Sequence, residues 1–159
     1  MGLAINFNIA KRSRLEKTEE RLSELNEAIN AEYRKSENEF SAERANELEK
    51  EYDEINPWKE VAYFRKVNFL IPFFGYEENC SDLEIDKCQV EDLIETCKAV
   101  LEDHSKAEEL LPTRAGFFFG STEYDDWYFG DVESVKTTFE SILEGFDPEK
   151  YILTMHCWW

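Results

Sequence analysis

The residues best equipped for chemistry in this chain are carboxylates, and they come in two arrangements. Glu123, Asp125 and Asp126 crowd together beside Tyr124 and Trp127, in the stretch Ala115-Gly-Phe-Phe-Phe-Gly-Ser-Thr-Glu-Tyr-Asp-Asp-Trp-Tyr-Phe129. Acids so grouped can ligate a metal ion or divide the work of acid and base, with Arg65 and Asn68 as a pocket wall for an anionic substrate. The second arrangement is linear. Glu16, Glu20 and Glu24 form one i, i+4 row, and Glu39, Glu43, Glu47 and Glu51 form another. Like charges at that spacing oppose a helix by a few tenths of a kcal/mol per pair. On a helix they stand roughly 6 Å apart along the axis, a ladder comparable with the phosphates of a nucleic-acid strand. Lys17 and Arg21 flank one row and Arg44 and Lys50 the other, so an ordinary solvated helix face is the competing account.

Catalysis finds little further support. There is no glycine-rich phosphate loop and no Gly-x-Ser-x-Gly elbow, and the acids lack the calcium-loop spacing. The only histidines are His104 and His156. Cys80, Cys88, Cys97 and Cys157 are spaced too widely for zinc pairs. The sequence leans away from an enzyme, and neither a cofactor nor a metal is expected.

The elements that must position these residues follow from periodicity. Leu3, Ile5, Phe7 and Ile9 alternate within Met1 to Ile9, which reads as a half-buried strand. From 13 to 55 the spacing of Leu15, Leu22, Leu25, Ile29 and Tyr33 is helical. Ser36-Glu-Asn-Glu39 has the form of a capping box, which favours a helical hairpin over one long helix, and Asn56-Pro57 stops it. A helix is predicted over Trp58 to Phe74, ended by Pro72, and a polar connection over 75–86. Val90, Leu93, Ile94, Cys97, Val100 and Leu101 predict the next helix, with Cys97 as a small buried hydrophobe. Phe117, Phe118 and Phe119 read as a strand buried on both faces, followed by a helix capped by Ser121 or Thr122 and carrying Val132, Val135, Phe139, Ile142 and Leu143. Tyr151 to Cys157 is the last strand, and burial is expected for Trp158 and Trp159. The result is one α+β domain over 1–159, with 13–55 a glutamate-rich helical insertion and 57–159 a core of about three strands packed against helices.

Charge narrows the class of partner. The chain carries 36 acids against 18 bases, a net −18. The excess is spread: 9 bases and 14 acids fall in residues 1–56, 7 and 13 in 57–114, 2 and 9 in 115–159. Such a surface repels nucleic acid and anionic membrane and attracts basic protein surfaces at long range. No basic run is larger than Lys11 to Arg14, which argues against direct nucleic-acid binding. The opening residues do not have the order of an export signal, and no apolar run is long enough to span a membrane, so a cytosolic protein with reduced thiols is expected.

Met1-Gly2-Leu3, Tyr63-Phe64-Arg65-Lys66-Val67-Asn68, Leu110-Leu111-Pro112-Thr113 and Gly116-Phe-Phe-Phe-Gly-Ser-Thr-Glu-Tyr-Asp125 resemble a family of small phage-encoded proteins. The likeness covers the opening tripeptide and roughly 58–143. Ala4 stands where that family has an aspartate, Phe64 where it has tryptophan and Ile71 where it has histidine, and the insertion is longer. The resemblance implies an accessory protein of a bacterial virus, working in the host cytoplasm. Combined with the charge, it suggests an acidic inhibitor that occupies the basic groove of a host nucleic-acid-acting defence protein, such as a restriction or CRISPR effector. An interaction module anchored by Tyr124 and Trp127 is the alternative. Self-association is left open.

Overall fold

The computed structural model describes residues 2–159; Met1, the first residue of the predicted opening strand, lies outside them. The chain is α+β and divides into two compact units, one formed by the chain up to Ile9 together with Lys59–Trp159, the other by Ala10–Trp58.

In the first unit the alternating start becomes β1, Ala4–Lys11, with Ile5 and Phe7 sealed from solvent. It pairs antiparallel with β2, Lys59–Arg65, so that Ile5 faces Phe64 and Phe7 faces Ala62. A bulge after Phe7 then sets Asn8 opposite Glu60 and Ile9 opposite Lys59. β3, Asp82–Ile85, pairs antiparallel with β4, Tyr151–Trp158, placing Ile85 against Leu153. The four strands run in the order β2-β1-β4-β3. The helices are α3 (Leu70–Phe74), α4 (Lys87–Glu102), a 3-10 turn (His104–Lys106), α5 (Ala107–Leu110) and α6 (Asp126–Gly145). Phe7 is the hinge of the core: its ring meets Phe64, Phe74 and Phe139 at 6.1, 5.8 and 4.8 Å. Edge-to-face packing of this kind adds about 1 kcal/mol per pair beyond the area buried. α4 and α6 carry their predicted apolar residues inward, and Cys97 is fully buried among them.

Five expectations fail here. The helix predicted over 58–74 is β2 followed by the short α3. Ala62 and Phe64 point inward while Tyr63 and Arg65 point out, a period of two masked by an exposed tyrosine that reads as apolar. Pro72 does not end α3 but sits in its first turn, where its missing N–H would be unsatisfied anyway. The terminator is Gly75, at φ 66°. The polar connection after it contains β3, so there are four strands among the described residues where about three were expected. The three phenylalanines form no strand. Phe119 N–H bonds the Gly116 carbonyl at 3.1 Å, and the turn buries Phe119 while leaving Phe117 95% exposed. At the chain's end Trp159 packs on Tyr76 and Phe119, but Trp158 remains exposed.

The second unit is a helical hairpin of α1, Arg12–Tyr33, and α2, Ala42–Ile55. Leu25, Ala45 and Leu48 are its buried centre. The predicted cap at Ser36 is displaced. Ser41 caps α2 by accepting Arg44 N–H at 3.2 Å, and Ser36 Oγ bonds the Glu39 carboxylate in the connecting turn. The end of the hairpin is closed by Glu32, the one buried acid among the described residues, which accepts Ser41 N–H at 2.8 Å and pairs with Lys35. Tyr33 stacks on Phe40 and its hydroxyl donates to Glu49 at 2.8 Å.

Candidate functional site

The stretch 113–131 wraps around a single buried amide. Asn68 Nδ2 donates to the carbonyls of Phe119 and Ser121 at 3.0 and 2.9 Å, while its Oδ1 accepts Arg114 N–H at 3.1 Å. Asn68 is 3% exposed. Both donors are used, so its role is to hold the turn and no donor remains for a ligand. Arg114 completes the clamp by donating to the Tyr76 carbonyl at 3.2 Å and lying 5.4 Å from the centre of the Phe119 ring.

Beside this clamp lies a cleft of about 300 Å³. Arg65 and Lys66 line one part of it, Glu123, Asp125 and Asp131 another, and Trp127 stands at its rim. Lys66 has φ 59°, in the left-handed region that costs a residue with a side chain about 1 kcal/mol or more. Its stem runs between two glycines: a Cβ on Gly2 would come within 2.9 Å of Lys66 Cε, and one on Gly120, itself at φ 84°, within 3.1 Å of Lys66 Cβ. Asp125 caps α6 in place of the predicted Ser121 or Thr122, accepting Tyr128 N–H at 3.0 Å. Ser121 Oγ instead accepts Glu123 N–H at 3.1 Å. Burial, and secondarily the charge of Asp125, raises the Asp131 carboxyl above its ordinary range. Burial also raises the Tyr128 hydroxyl, which donates to the Leu111 carbonyl at 2.7 Å. The cleft thus gathers Arg65, Asn68, Glu123, Asp125 and Trp127 from among the sequence candidates and adds Lys66 and Asp131. Asp126 is exposed in the first turn of α6, and Tyr124 is spent on the Thr113 amide, whose N–H it accepts at 3.2 Å. Among the described residues no three His, Cys, Asp or Glu side chains converge as metal ligands would.

The glutamate rows belong to the second unit, and the structure modifies both. Glu39 lies in the turn before α2, so its row shortens to Glu43, Glu47 and Glu51. Arg21 ties α1 to α2: Nη1 meets Glu24 at 3.0 Å and Nε meets Glu51 at 3.0 Å. Arg44 meets Glu47 at 3.4 Å. Glu16, Glu20 and Glu43 stay exposed, with no ion pair among the described residues. The ladder is therefore broken and partly neutralised, which makes it a weaker copy of a phosphate strand than the sequence suggests.

A third acidic surface was missed. Between α4 and α6 runs a groove of about 350 Å³, floored by Ile94 and Leu143 and rimmed by Glu91 and Glu95 on one helix and by Glu140 and Glu144 on the other. Each pair has i, i+4 spacing, so the signal was present in the sequence. What was hidden is that early turns of α4 lie beside late turns of α6, bringing the two pairs together across an apolar floor.

Among the described residues no helix is long and apolar enough to cross a membrane. Comparison of the chain with protein-family models, with curated proteins and with solved structures finds no match.

Proposed function

We propose that this chain is an acidic binding protein, an accessory protein of a bacterial virus that acts in the host cytoplasm by occupying the basic groove of a host nucleic-acid-acting defence protein. The observation that carries this reading is the placement of charge: of 36 acids, Glu32 alone is buried among the described residues, against 18 bases in all. Folding therefore leaves nearly all the carboxylates at the surface, where their field is strongest at long range and a basic partner is attracted before contact. The phage origin rests on the sequence resemblance. The test is affinity capture by the immobilised protein, offered purified restriction and CRISPR effectors at low and raised salt, with duplex DNA as competitor. A complex that weakens steeply with salt and is displaced by DNA supports the reading. Failure of every basic partner to bind, or a complex indifferent to salt, overturns it.

A second reading has its own observation. Trp127 is 85% exposed and Phe117 95% exposed, and large aromatic rings held in solvent are the usual anchors of a protein interface. An aromatic-anchored interaction module would form salt-tolerant complexes sensitive to Trp127→Ala.

A further inference from the structure

We infer that the groove between α4 and α6 is the docking surface for a cationic amphipathic helix of the partner, with an apolar side chain on Ile94 and Leu143 and lysines or arginines against the flanking glutamates. This deepens the function proposed above and rests on it. The occupant follows from the lining. An apolar floor alone fits any hydrophobe, and carboxylates alone fit any cation; side by side they select a segment that presents both. The two rims, Glu91 with Glu95 and Glu140 with Glu144, each step by four residues along a helix. A docked helix with basic residues four apart repeats that step of roughly 6 Å and can meet a rim twice. At about 350 Å³ the groove admits one or two large aliphatic side chains.

The groove already holds an internal example of what it accepts. Lys98 lies at its edge with its ammonium 3.0 Å from Glu95, and it also feels the charge of Glu140 on the facing helix. One lysine leaves the four glutamates of the lining in excess. The cleft beside the Asn68 clamp differs in this respect: it brings Arg65 and Lys66 as well as Glu123, Asp125 and Asp131 to its walls, so its charge selects neither sign.

The experiment measures binding of the full chain to a synthetic helical peptide carrying lysines at i, i+4 beside a leucine stripe. Two control peptides replace the lysines by glutamate or the leucines by serine. Two protein variants remove the same charge from different surfaces: Glu91→Gln/Glu95→Gln/Glu140→Gln/Glu144→Gln in the groove, and Glu19→Gln/Glu27→Gln/Glu37→Gln/Asp53→Asn, exposed acids outside the glutamate rows, on the hairpin. The groove variant should bind the lysine-leucine peptide at least about tenfold more weakly while the hairpin variant stays within about twofold, and both control peptides should bind poorly to the wild type. Methyl shifts of Ile94 and Leu143 on addition of the peptide give a readout on the wild type, independent of how the variants fold. Equal weakening by the two variants, tight binding of the serine peptide, or shifts confined to residues outside the groove would overturn this docking site while leaving the acidic-binder reading intact. If no basic peptide or protein binds anywhere, both fall together.

Discussion

Asn68 Nδ2 lies 2.9 Å from the carbonyl oxygen of Ser121, 53 residues further along the chain. With its bonds to Phe119 and Arg114, this side chain fixes a turn that has no regular secondary structure to hold it. Asn68→Ala removes three hydrogen bonds and leaves backbone groups unpaired in a buried place. The expected loss is about 2–4 kcal/mol, read as a lower urea midpoint by tryptophan fluorescence. Asn68→Asp should be at least as damaging, since it turns a donor toward two carbonyls into a charge facing them.

Tyr76 performs a similar task at the end of the sheet. Its hydroxyl accepts the N–H groups of Ser81 and Cys157 at 3.1 and 2.9 Å and donates to the Ser81 carbonyl. Tyr76→Phe strands the Cys157 amide in the interior, while the Ser81 N–H keeps the Glu78 carbonyl at 3.2 Å, and is expected to cost about 1–2 kcal/mol. Hydrogen exchange at the Cys157 amide should rise in parallel; unchanged protection there would refute the assignment.

The buried thiols set the alkaline limit. Burial pushes Cys97 and Cys157 each up to about 12, whereas an unfolded thiol ionises near ~8.5. An acid whose folded pKa is raised keeps its proton longer in the native state. Its contribution is therefore intact below the unfolded value and lost as pH climbs from there toward about 12, at up to ~1.4 kcal/mol per pH unit per thiol. Urea midpoints should fall between pH 8 and 10, and Cys97→Ala/Cys157→Ala should flatten that slope. In the native state a thiol reagent should reach only Cys80 and Cys88, the two exposed cysteines.

The hairpin should loosen at the acid end. Lys35, and after it the Ser41 N–H, hold the Glu32 carboxyl below its usual range. A lowered folded pKa contributes stability that is present above the unfolded value near ~4.3 and lost as pH falls through the folded one. The Ser41 amide resonance should move over that interval in the wild type. In Glu32→Gln it should stay put.

Trp127 separates the two readings of function. At 85% exposure it contributes little to the fold, and Trp127→Ala should change stability by less than about 0.5 kcal/mol. If charge drives binding, the same variant keeps partner affinity within about threefold while added salt lowers it more than tenfold. A large loss on Trp127→Ala in high salt would favour the aromatic-anchored module.

The legible parts of the sequence were those in which one physical signal dominated. Leu25 and Ile29 gave the first hairpin helix by spacing, Phe139 and Ile142 gave α6, and the alternation of Ile5 and Phe7 gave β1. The misread parts were those in which composition and geometry disagreed. Tyr63 counts as apolar by residue type yet faces solvent, which hid the two-residue period of β2. Two acids in Asp82–Ile85 made β3 read as a loop, although Leu83 and Ile85 face Met155 and Leu153. The run of phenylalanines predicted a strand, but it has no strand to pair with, and Phe119 folds back over Gly116 instead. Of the candidate site, Arg65, Asn68, Glu123, Asp125 and Trp127 were found from the sequence. The α4 and α6 groove was not, because its two halves are separated by the turns and short helices between residues 102 and 126.

Ile9 and Lys59 face each other across the β1 and β2 ladder. The chain therefore departs from the sheet and rejoins it at neighbouring points, so that everything from Ala10 to Trp58 occupies the topological slot of one tight loop. Lengthening, shortening or swapping that cassette should leave strand register and core unaltered, which gives such a molecule a way to exchange 14 of its 36 acids in a single genetic step.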